Sequence, residues 1–337
     1  MAKTSSTFRY FLLTTIIFLS IITFYIYKIY TSKPNIQKYT FVYVYPTMNL
    51  QQLADTLERK RIIAHKFAFH LLAKQMHLKN LKPGKYRITS NMTLPAIIRL
   101  FKNQQDEKVT INIHANIFYL DDFINAIDNK LMIQKEDIIR AIHEYPSIKD
   151  KEWLNYLFIK SYKVNWAIDA NSILDSILNY YHKIWNSQRL QLLRKTTLTQ
   201  KEAMILASIV QHESHIFSEQ RKIAGVYLNR LKKQMPLQAD PTLKYLHHKM
   251  DANRVYNSDK ENNSPYNTYK FKGLPPTTLG AVSIQALDAV LNFESHNYLY
   301  FCAKPELNGY SNYSETFQQH LKYARQYQQK LNELNIK

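Results

Sequence analysis

The sequence contains one cysteine and five glycines among its 337 residues. Because a single thiol has no partner within the chain, Cys302 cannot form an intramolecular disulfide. No CxxC pair occurs, and His212 and His215 lack a third ligand at a suitable spacing, so we predict neither a metal nor a cofactor. Cys302 lies in the apolar run 298–303, which predicts a buried strand with the thiol in the core. Internal repeats and Gly/Ser linkers are also absent from the sequence.

No helix-turn-helix, zinc-finger or RNA-binding signature accompanies the net charge of +19. The positive charges are spread along the chain, which indicates affinity for an anionic surface or polymer and predicts no nucleic-acid partner. Hydrophobic residues make up 45% of the chain, so it can bury one large core or those of two to three domains. Its 25 Tyr and 16 Phe suit stacking against sugar rings or bases, although a general drift in composition explains them equally well.

The N-terminal segment 10–27 carries no charged residue and is dominated by Ile, Leu, Phe and Thr. This length is close to what a helix needs to cross a bilayer core. A cleaved signal peptide is the alternative, but the apolar run exceeds the usual length and no small-x-small site follows at 29–33. We therefore predict an uncleaved single-pass anchor. Basic residues flank it on both sides, so charge alone leaves its orientation open.

The residues that follow the N-terminal segment are predicted to form a small α+β module. Residues 40–45 have strand composition, and apolar spacing predicts helices from Asn49, over 65–76 and over 93–101, with Thr93 as an N-cap. A turn at 81–86 leads into a second strand.

Beyond this module, residues 109–113 alternate as a strand and 119–181 are mainly helical in pattern. A polar, basic stretch at 187–197 places a domain boundary near residue 190.

A well-marked helix begins at Thr199, where Thr199 and Glu202 have the spacing of a capping box. With a period of 3.6 residues, Glu213 falls on the stripe of Leu206, Ile209 and Val210, which predicts a carboxyl group on a buried face. Burial favours the protonated form, as proton donation to a glycosidic oxygen requires. Taken alone, the helix favours a structural glutamate that reaches solvent or pairs with an arginine, and the candidate arginines are Arg221 and Arg230.

Five segments then follow in a fixed order. They are LASIVQHE at 206–213, GVYLNRL at 225–231, MPLQADPT at 235–242, SPYNTY at 264–269 and KGLPP at 272–276. In this order they resemble the endolytic murein transglycosylase (YceG-like) family of membrane-bound lytic transglycosylases. The resemblance covers 199–325 closely and 40–190 loosely. It favours a catalytic role for Glu213 over the structural role that the helix alone indicates.

The resemblance implies an α+β protein of four parts: a cytoplasmic stub and transmembrane anchor at 1–33, a LysM-like module at 34–105, a linking helical region at 106–190 and a catalytic transglycosylase domain at 191–337. It implies an inner-membrane protein whose catalytic domain lies on the periplasmic or extracytoplasmic side. There it would cut nascent peptidoglycan strands, together with cell-wall synthesis proteins, and so contribute to wall assembly and glycan length. Whether the LysM-like module binds glycan or only spaces the enzyme from the membrane stays open.

The resemblance also implies a mechanism with one carboxyl group, Glu213. It would protonate the oxygen between N-acetylmuramic acid and N-acetylglucosamine, then accept the proton of the muramic acid C6 hydroxyl, leaving a 1,6-anhydro end. Substrate-binding roles are implied for residues with amide, carboxylate and hydroxyl groups: Gln238, Asp240, Thr242, Tyr266, Asn267 and Tyr269. A structural turn is an equal explanation for the segment 240–242.

Several positions depart from the family pattern. The helix of the family often carries a second acid, where this chain has Gln211, so only Glu213 can be catalytic. Ser311 stands where a histidine is common, whereas His320 is retained. The remaining departures lie in the segments 157–162, 277–279 and 281–283.

Two other functions compete with the transglycosylase. A hydrolase would use Asp240 or another acid as nucleophile or to activate water, and its products would have reducing ends. A membrane-tethered glycan-binding or division-scaffold protein would have lost activity through the departures. It would keep its cellular function when Glu213 is changed to Gln.

Overall fold

The structure of the protein is a computed structural model that describes residues 6–128, 130–146, 148–250 and 257–334. It is a mixture of helix and strand, which confirms the predicted α+β class. Contacts divide it into two compact units. The first unit comprises the chain up to residue 109 with 130–132 and 163–168, and the second comprises 110–129, 133–162 and the chain from residue 169 onward.

The first unit begins with a long apolar helix followed by a small α+β core. Its elements are α1 (Ser6–Tyr30), β1 (Tyr39–Val44), α2 (Leu50–Arg59), α3 (Lys66–Gln75), β2 (Gly84–Thr89) and α4 (Leu94–Lys102). Within α1, the span Phe8–Tyr30 is long and apolar enough to cross a membrane, although a signal sequence would pass the same test. The helix is compatible with the predicted single-pass anchor.

The predicted strands and helices of the module are confirmed, with ends shifted by one to three residues. β1 and β2 pair antiparallel, with Val42 opposite Tyr86, and both side chains are fully buried. A capping box starts α2, because the Asn49 side chain accepts from the Gln52 backbone N–H and the Gln52 side chain accepts from that of Asn49. Thr93 stands at the N-cap of α4 as predicted, but its side chain makes no capping hydrogen bond.

The second unit is built mainly from helices. Its elements are β3 (Val109–Ile113), α5 (Leu120–Ile127), α6 (Lys135–Glu144), a 3-10 helix (Asp150–Tyr156), β4 (Lys160–Val164), α7 (Ala170–Ile184), α8 (Ser187–Leu193), α9 (Gln200–Glu213), α10 (Phe217–Lys232), α11 (Asp240–Leu246), a 3-10 helix (Asn257–Glu261), α12 (Ile284–Leu291), β5 (Tyr300–Ala303), β6 (Ser311–Ser314) and α13 (Phe317–Glu333). β3 pairs with β4, and β5 pairs antiparallel with β6.

Three local features differ from the sequence predictions or add to them. The mainly helical pattern at 119–181 is interrupted by β4, whose buried residues alternate with exposed ones as a strand requires. The polar stretch at 187–197 contains α8, where Arg189 forms an ion pair with Asp288 of α12 at 2.8 Å. The strand containing Cys302 is confirmed as β5, but the thiol is only partly buried, since β5 belongs to a two-stranded sheet at which α13 packs.

The core of the second unit surrounds α9. Residues 203–211 are all buried, so burial extends around the whole helix and is not restricted to the predicted stripe. α10, α11 and α12 pack against it, because a helix that is apolar on every side must be enclosed by protein. At Gly225 of α10, a Cβ would lie 2.4 Å from the backbone oxygen of Glu294. Only glycine permits this close approach.

Candidate active site

Glu213 is the last residue of α9. The predicted capping box fixes the other end of this helix. The Glu202 carboxylate accepts from the Thr199 backbone N–H at 2.8 Å, and the Thr199 hydroxyl accepts from the Glu202 backbone N–H at 3.2 Å. At Ser214 the backbone becomes extended, and the next helix, α10, packs against α9. This packing brings Tyr227 to Glu213, and the Tyr227 hydroxyl donates to Glu213 Oε1 at 2.6 Å.

The environment of the Glu213 carboxyl group raises its pKa to about 7. Burial is the main cause, and the nearby Asp240 carboxylate acts in the same direction. The hydrogen bond from Tyr227 and the charges of Lys244 and Arg230 act against them. At neutral pH the group is therefore divided between its acid and its carboxylate, as a group that donates and then accepts a proton requires.

Arg221 and Arg230, the arginines that could have formed an ion pair with Glu213, donate to backbone oxygens instead. Arg221 Nε donates to the backbone oxygen of Asn292 at 2.6 Å. Arg230 donates to the backbone oxygens of Leu299 and Leu237, at 2.7 Å in both cases. Glu213 thus has a neutral phenol as its hydrogen-bond donor. An ion pair would have held it as a carboxylate.

Tyr227 is buried, with 1% of its surface exposed. Burial raises its pKa well above the ordinary value of 10, and the charge of Glu213 adds to this effect. The phenol therefore keeps its proton and stays a donor at every physiological pH. It donates to Oε1, and among the described residues no hydrogen bond to the other oxygen, Oε2, is present.

Two of the predicted substrate-binding residues form a pair beside Glu213. The Tyr269 hydroxyl donates to Asp240 Oδ1, and Asp240 itself is exposed in the first turn of α11. Burial and then this hydrogen bond raise the pKa of Tyr269, with a further contribution from Glu213. Asp240 and Tyr269 therefore both lie within electrostatic range of the Glu213 carboxyl group.

Gln238 is exposed, and its backbone is in the left-handed region with φ of 50°. Its side-chain oxygen accepts from Arg230 at 3.3 Å, which links it to α10. The backbone N–H of Gln238 donates to the Thr268 oxygen at 2.9 Å. The loop before α11 is thus joined to the segment that carries Tyr269.

Thr242 and Asn267 are fully buried, in contrast to Gln238 and Asp240. The Thr242 hydroxyl donates to the backbone oxygen of Ala239 at 2.8 Å. The Asn267 amide donates to the backbone oxygens of Lys260 and Asn262, and its oxygen accepts from the Tyr269 N–H. The Thr242 and Asn267 side chains therefore stabilise the loops that carry Asp240 and Tyr269.

Tyr266 belongs to a row of aromatic rings. Its ring lies 5.1 Å from that of Tyr245, which stacks on Tyr119 at 4.9 Å, and Tyr119 stacks in turn on His248 at 4.2 Å. Tyr266 and Tyr119 are partly exposed and His248 is exposed. A row of this kind offers faces on which sugar rings can stack.

The row is connected to the end of α9 through His212. The ring of Phe118, the neighbour of Tyr119 in the chain, lies 5.7 Å from that of His212. Burial, aided by the charges of His215 and Lys244, lowers the pKa of His212 to about 4. This imidazole is therefore neutral at pH 7. No group of residues able to hold a metal occurs within the described ranges.

The positions near α9 that the sequence analysis predicts to depart from the family pattern are hydrogen-bonded. Gln211 donates to the Ala281 oxygen at 3.1 Å and accepts from the Ser283 N–H at 2.7 Å. The Thr278 hydroxyl donates to the Leu154 oxygen at 2.9 Å. These contacts fasten the segment 277–283 to the core.

The departure at Ser311 also lies in a hydrogen-bonded place. Its backbone N–H donates to the buried Glu219 carboxylate at 2.8 Å. His320, which is retained, stacks on Tyr300 at 5.4 Å, and the Arg230 guanidinium lies 5.3 Å from the same ring.

Sequence reasoning missed Tyr227 and Lys244 as neighbours of Glu213, and it named Arg230 only as a possible ion-pair partner. Tyr227 and Arg230 are three residues apart within the segment 225–231, a spacing that puts them on one face of a helix. That spacing was the available signal. What it could not give is how α10 packs against α9, which places this face at Glu213.

Comparison with known proteins tests the resemblance. A profile of the YceG-like family matches residues 42–326. The chain is 27% identical over 314 residues to a Bacillus subtilis (strain 168) protein named endolytic murein transglycosylase, covering 85% of this chain and 84% of that protein. A protein of the same name from Streptococcus pneumoniae serotype 2 (strain D39 / NCTC 7466) is 27% identical over 304 residues, and the match covers 80% of this chain but only 55% of that longer protein.

A solved structure agrees with the fold. The crystal structure of the yceG-like protein lmo1499 from Listeria monocytogenes has a TM-score of 0.52 and 24% identity, with 86% of this chain and 99% of that one covered. The profile match spans both compact units and includes the site around Glu213. The family resemblance predicted from the five ordered segments is confirmed, and the chain belongs to the YceG-like family.

Proposed function

We propose that this protein is an endolytic lytic transglycosylase that cleaves the bond between N-acetylmuramic acid and N-acetylglucosamine in peptidoglycan, with Glu213 as acid and then base. The observation that carries the proposal is the partly buried Glu213 carboxyl group, with a pKa of about 7 and the Tyr227 phenol donating to its Oε1. The names of the bacterial relatives support the same activity.

In the first step, protonated Glu213 gives its proton to the glycosidic oxygen, and the bond from that oxygen to C1 of the muramic acid breaks. In the second, the C6 hydroxyl of the same sugar attacks C1, and the Glu213 carboxylate accepts its proton. The product is a 1,6-anhydro end, and Glu213 regains its starting state. No water and no second carboxylate takes part, which suits a site with Gln211 at the other acid position.

The other groups of the site suit strand binding. Asp240, Gln238 and Tyr269 offer acceptors and donors for sugar hydroxyls and N-acetyl groups, while Tyr266 contributes to the aromatic row. Thr242 and Asn267 would act indirectly, by holding the two loops in place. Tyr227 is a positioning residue, because its hydrogen bond fixes the orientation of the Glu213 carboxyl group.

We also propose that α1 remains in the inner membrane as a single-pass anchor, with the rest of the chain on the extracytoplasmic side. There the enzyme would cut nascent strands, in contact with cell-wall synthesis proteins, and so limit glycan length. The division at 1–33, 34–105, 106–190 and 191–337 into anchor, LysM-like module, linking region and catalytic domain belongs to this proposal. An apolar helix and a peptidoglycan substrate are both consistent with this location.

The test is digestion of purified peptidoglycan by the full chain in detergent micelles, followed by mass spectrometry of the products. The proposal expects anhydro-muramic ends from the wild type and none from Glu213→Gln. Glu202→Gln is the matched control, because it is the same substitution at the other end of the same helix and leaves the capping oxygen in place. It should cleave like the wild type.

The alternatives predict different products. Because Asp240 lies close enough to Glu213 to affect its pKa, a hydrolase that uses this pair is the second candidate. It would give reducing ends and lose them in Asp240→Asn. Reducing ends from the wild type, or equal anhydro ends from the wild type and Glu213→Gln, would show that the proposed mechanism is wrong. A glycan-binding protein without activity would give neither product.

A further inference from the structure

The outer face of α3 in the first unit carries two apolar side chains without cover. Phe67 is 78% exposed and Leu71 is 62% exposed, and their spacing of four residues puts them side by side on the helix. Phe67 is more exposed than Phe11 of α1, which is 69% exposed. The opposite face of α3 already packs into the core through Phe69 and Leu72. A helix that is apolar on both faces calls for an apolar partner on its second face.

The position of α3 beside α1 indicates what this partner is. A cavity of about 160 Å³ lies between the two, with Tyr25 and Ile29 on one side and Ala64, His65 and Ala68 on the other. Tyr25 lies five residues before the end of the apolar span at Tyr30, which corresponds to about 7 Å along a helix. If α1 crosses the bilayer, the start of α3 therefore lies at the depth where headgroups meet acyl chains.

Charge around this face fits the same partner. Lys74 is exposed on α3 and Lys28 lines the cavity, while Lys66, also exposed, forms an ion pair with Asp55 at 3.0 Å. Long basic side chains at the edge of an apolar face can extend to anionic headgroups while their stems stay in the apolar layer. An aromatic ring could also stack on a sugar, but an adjacent leucine at the same level suits acyl chains better.

We propose that α3 is a second membrane contact, which inserts Phe67 and Leu71 into the outer boundary of an anionic bilayer and lays the first unit on the membrane surface. This inference rests on the proposed anchor but not on the proposed chemistry. It would replace a freely swinging tether with a two-point attachment, because α1 and α3 would both enter the lipid.

The test measures depth in the bilayer with the full chain in vesicles of phosphatidylcholine and phosphatidylglycerol. In a Cys302→Ser background, single cysteines at Phe67→Cys, Asn103→Cys and Phe18→Cys are labelled with an environment-sensitive fluorophore. Quenching by lipids brominated on the acyl chains is then compared. Asn103 is a matched control, since it is exposed and follows the far end of α4, whose first residue, Leu94, lines the cavity. Phe18 reports on the anchor.

The proposal expects the label at position 67 to be quenched at least about twofold more than the label at 103, and less than the label at 18. Adding Leu71→Asp should lower the quenching at 67 to that at 103, with Tm unchanged because the side chain is exposed.

Three results would overturn it. Equal quenching at 67 and 103, with strong quenching at 18, would reject the contact and leave the anchor intact. No quenching at 18 would reject the anchor and the contact together. A fluorescence change at 67 caused by added glycan strands, without lipid quenching, would make this face a glycan site. None of these results bears on whether anhydro ends are formed, which is measured separately.

Discussion

Two glutamates six residues apart, Glu213 and Glu219, show how the donors around a carboxylate determine its use. Each accepts a hydrogen bond from a tyrosine hydroxyl, Glu213 from Tyr227 at 2.6 Å and Glu219 from Tyr313 at 2.9 Å. Glu219 also accepts the Ser311 backbone N–H at 2.8 Å, on the same oxygen. Two donors, one of them backbone, make Glu219 a tie between α10 and β6. Glu219 is also almost fully buried, with 2% of its surface exposed, whereas Glu213 has a single phenol donor and is only partly buried, so a substrate can reach it.

The largest effect should separate these two residues by activity. We expect Glu213→Gln to lower the initial rate of strand cleavage by about 10² to 10⁴-fold, the usual range for loss of a general acid–base group. Glu219→Gln should change the rate less than about tenfold, because it keeps an acceptor oxygen and lies outside the chemistry. Rates of anhydro-end release measure both. A greater loss in Glu219→Gln than in Glu213→Gln would remove the distinction.

Loss of Glu219 should lower the stability of the fold more than loss of Glu213 does, the reverse of their effects on activity. Glu219→Ala leaves the Ser311 N–H and the Tyr313 hydroxyl without their acceptor, which should lower the free energy of unfolding by about 1 to 3 kcal/mol. Urea denaturation at pH 7 measures this. Glu202→Ala serves as a surface comparison and should cost about 1 kcal/mol or less through the lost half of its capping box. An unchanged midpoint in Glu219→Ala would show that Glu219 is not a structural tie.

The Tyr227 hydrogen bond predicts a change in pH dependence. Cleavage should fall as pH rises through about 7, because the acid form of Glu213 is lost above its pKa. Tyr227 lowers this pKa, so Tyr227→Phe should move the falling limb to higher pH while kcat drops by about tenfold. Profiles of kcat/KM from pH 5 to 9 would measure both changes. Tyr313→Phe is the control and should leave the position of the limb unchanged.

The smallest effect concerns the stability cost of the raised pKa. In the unfolded chain Glu213 ionises near its ordinary pKa of 4.5, whereas in the folded protein it ionises near 7. Folding is therefore not penalised below about 4.5 and is penalised increasingly up to about 7. Glu213→Gln should raise Tm at pH 8 by about 2 to 4 °C and leave it unchanged at pH 4. Calorimetry at the two pH values checks this, and an equal shift at both would contradict it.

Local patterns predicted much of the fold because they reflect local physics. The helix start at Asn49, the capping box at Thr199, the first two strands and the long apolar helix all follow from residues close together in the sequence. β4 was missed, since a five-residue strand between helices gives a weak periodic signal. The burial of residues 203–211 on every side of α9 was also missed. It depends on three helices that the sequence does not place around it.

The candidate site likewise has residues that local sequence singles out and residues whose place depends on packing. Glu213 could be singled out from its helix and the ordered segments after it, and Asp240 and Tyr269 prove to be neighbours across 29 residues. The buried positions of Thr242 and Asn267 could not be read from a motif, because a motif does not tell a residue that binds from one that holds the binding loop. The place of Tyr227 at the site depends on how α10 packs against α9, which the sequence does not show.

The hydrogen bonds of Gln211 limit which substitutions this position can accept during evolution. Its amide both donates to Ala281 and accepts from Ser283, a pair of contacts that an ionised carboxylate could not make. Restoring an acid at position 211 alone would leave the Ala281 oxygen without a donor. The position is therefore epistatic with the loop 281–283, and a second acid could return to this helix only together with a rebuilt loop.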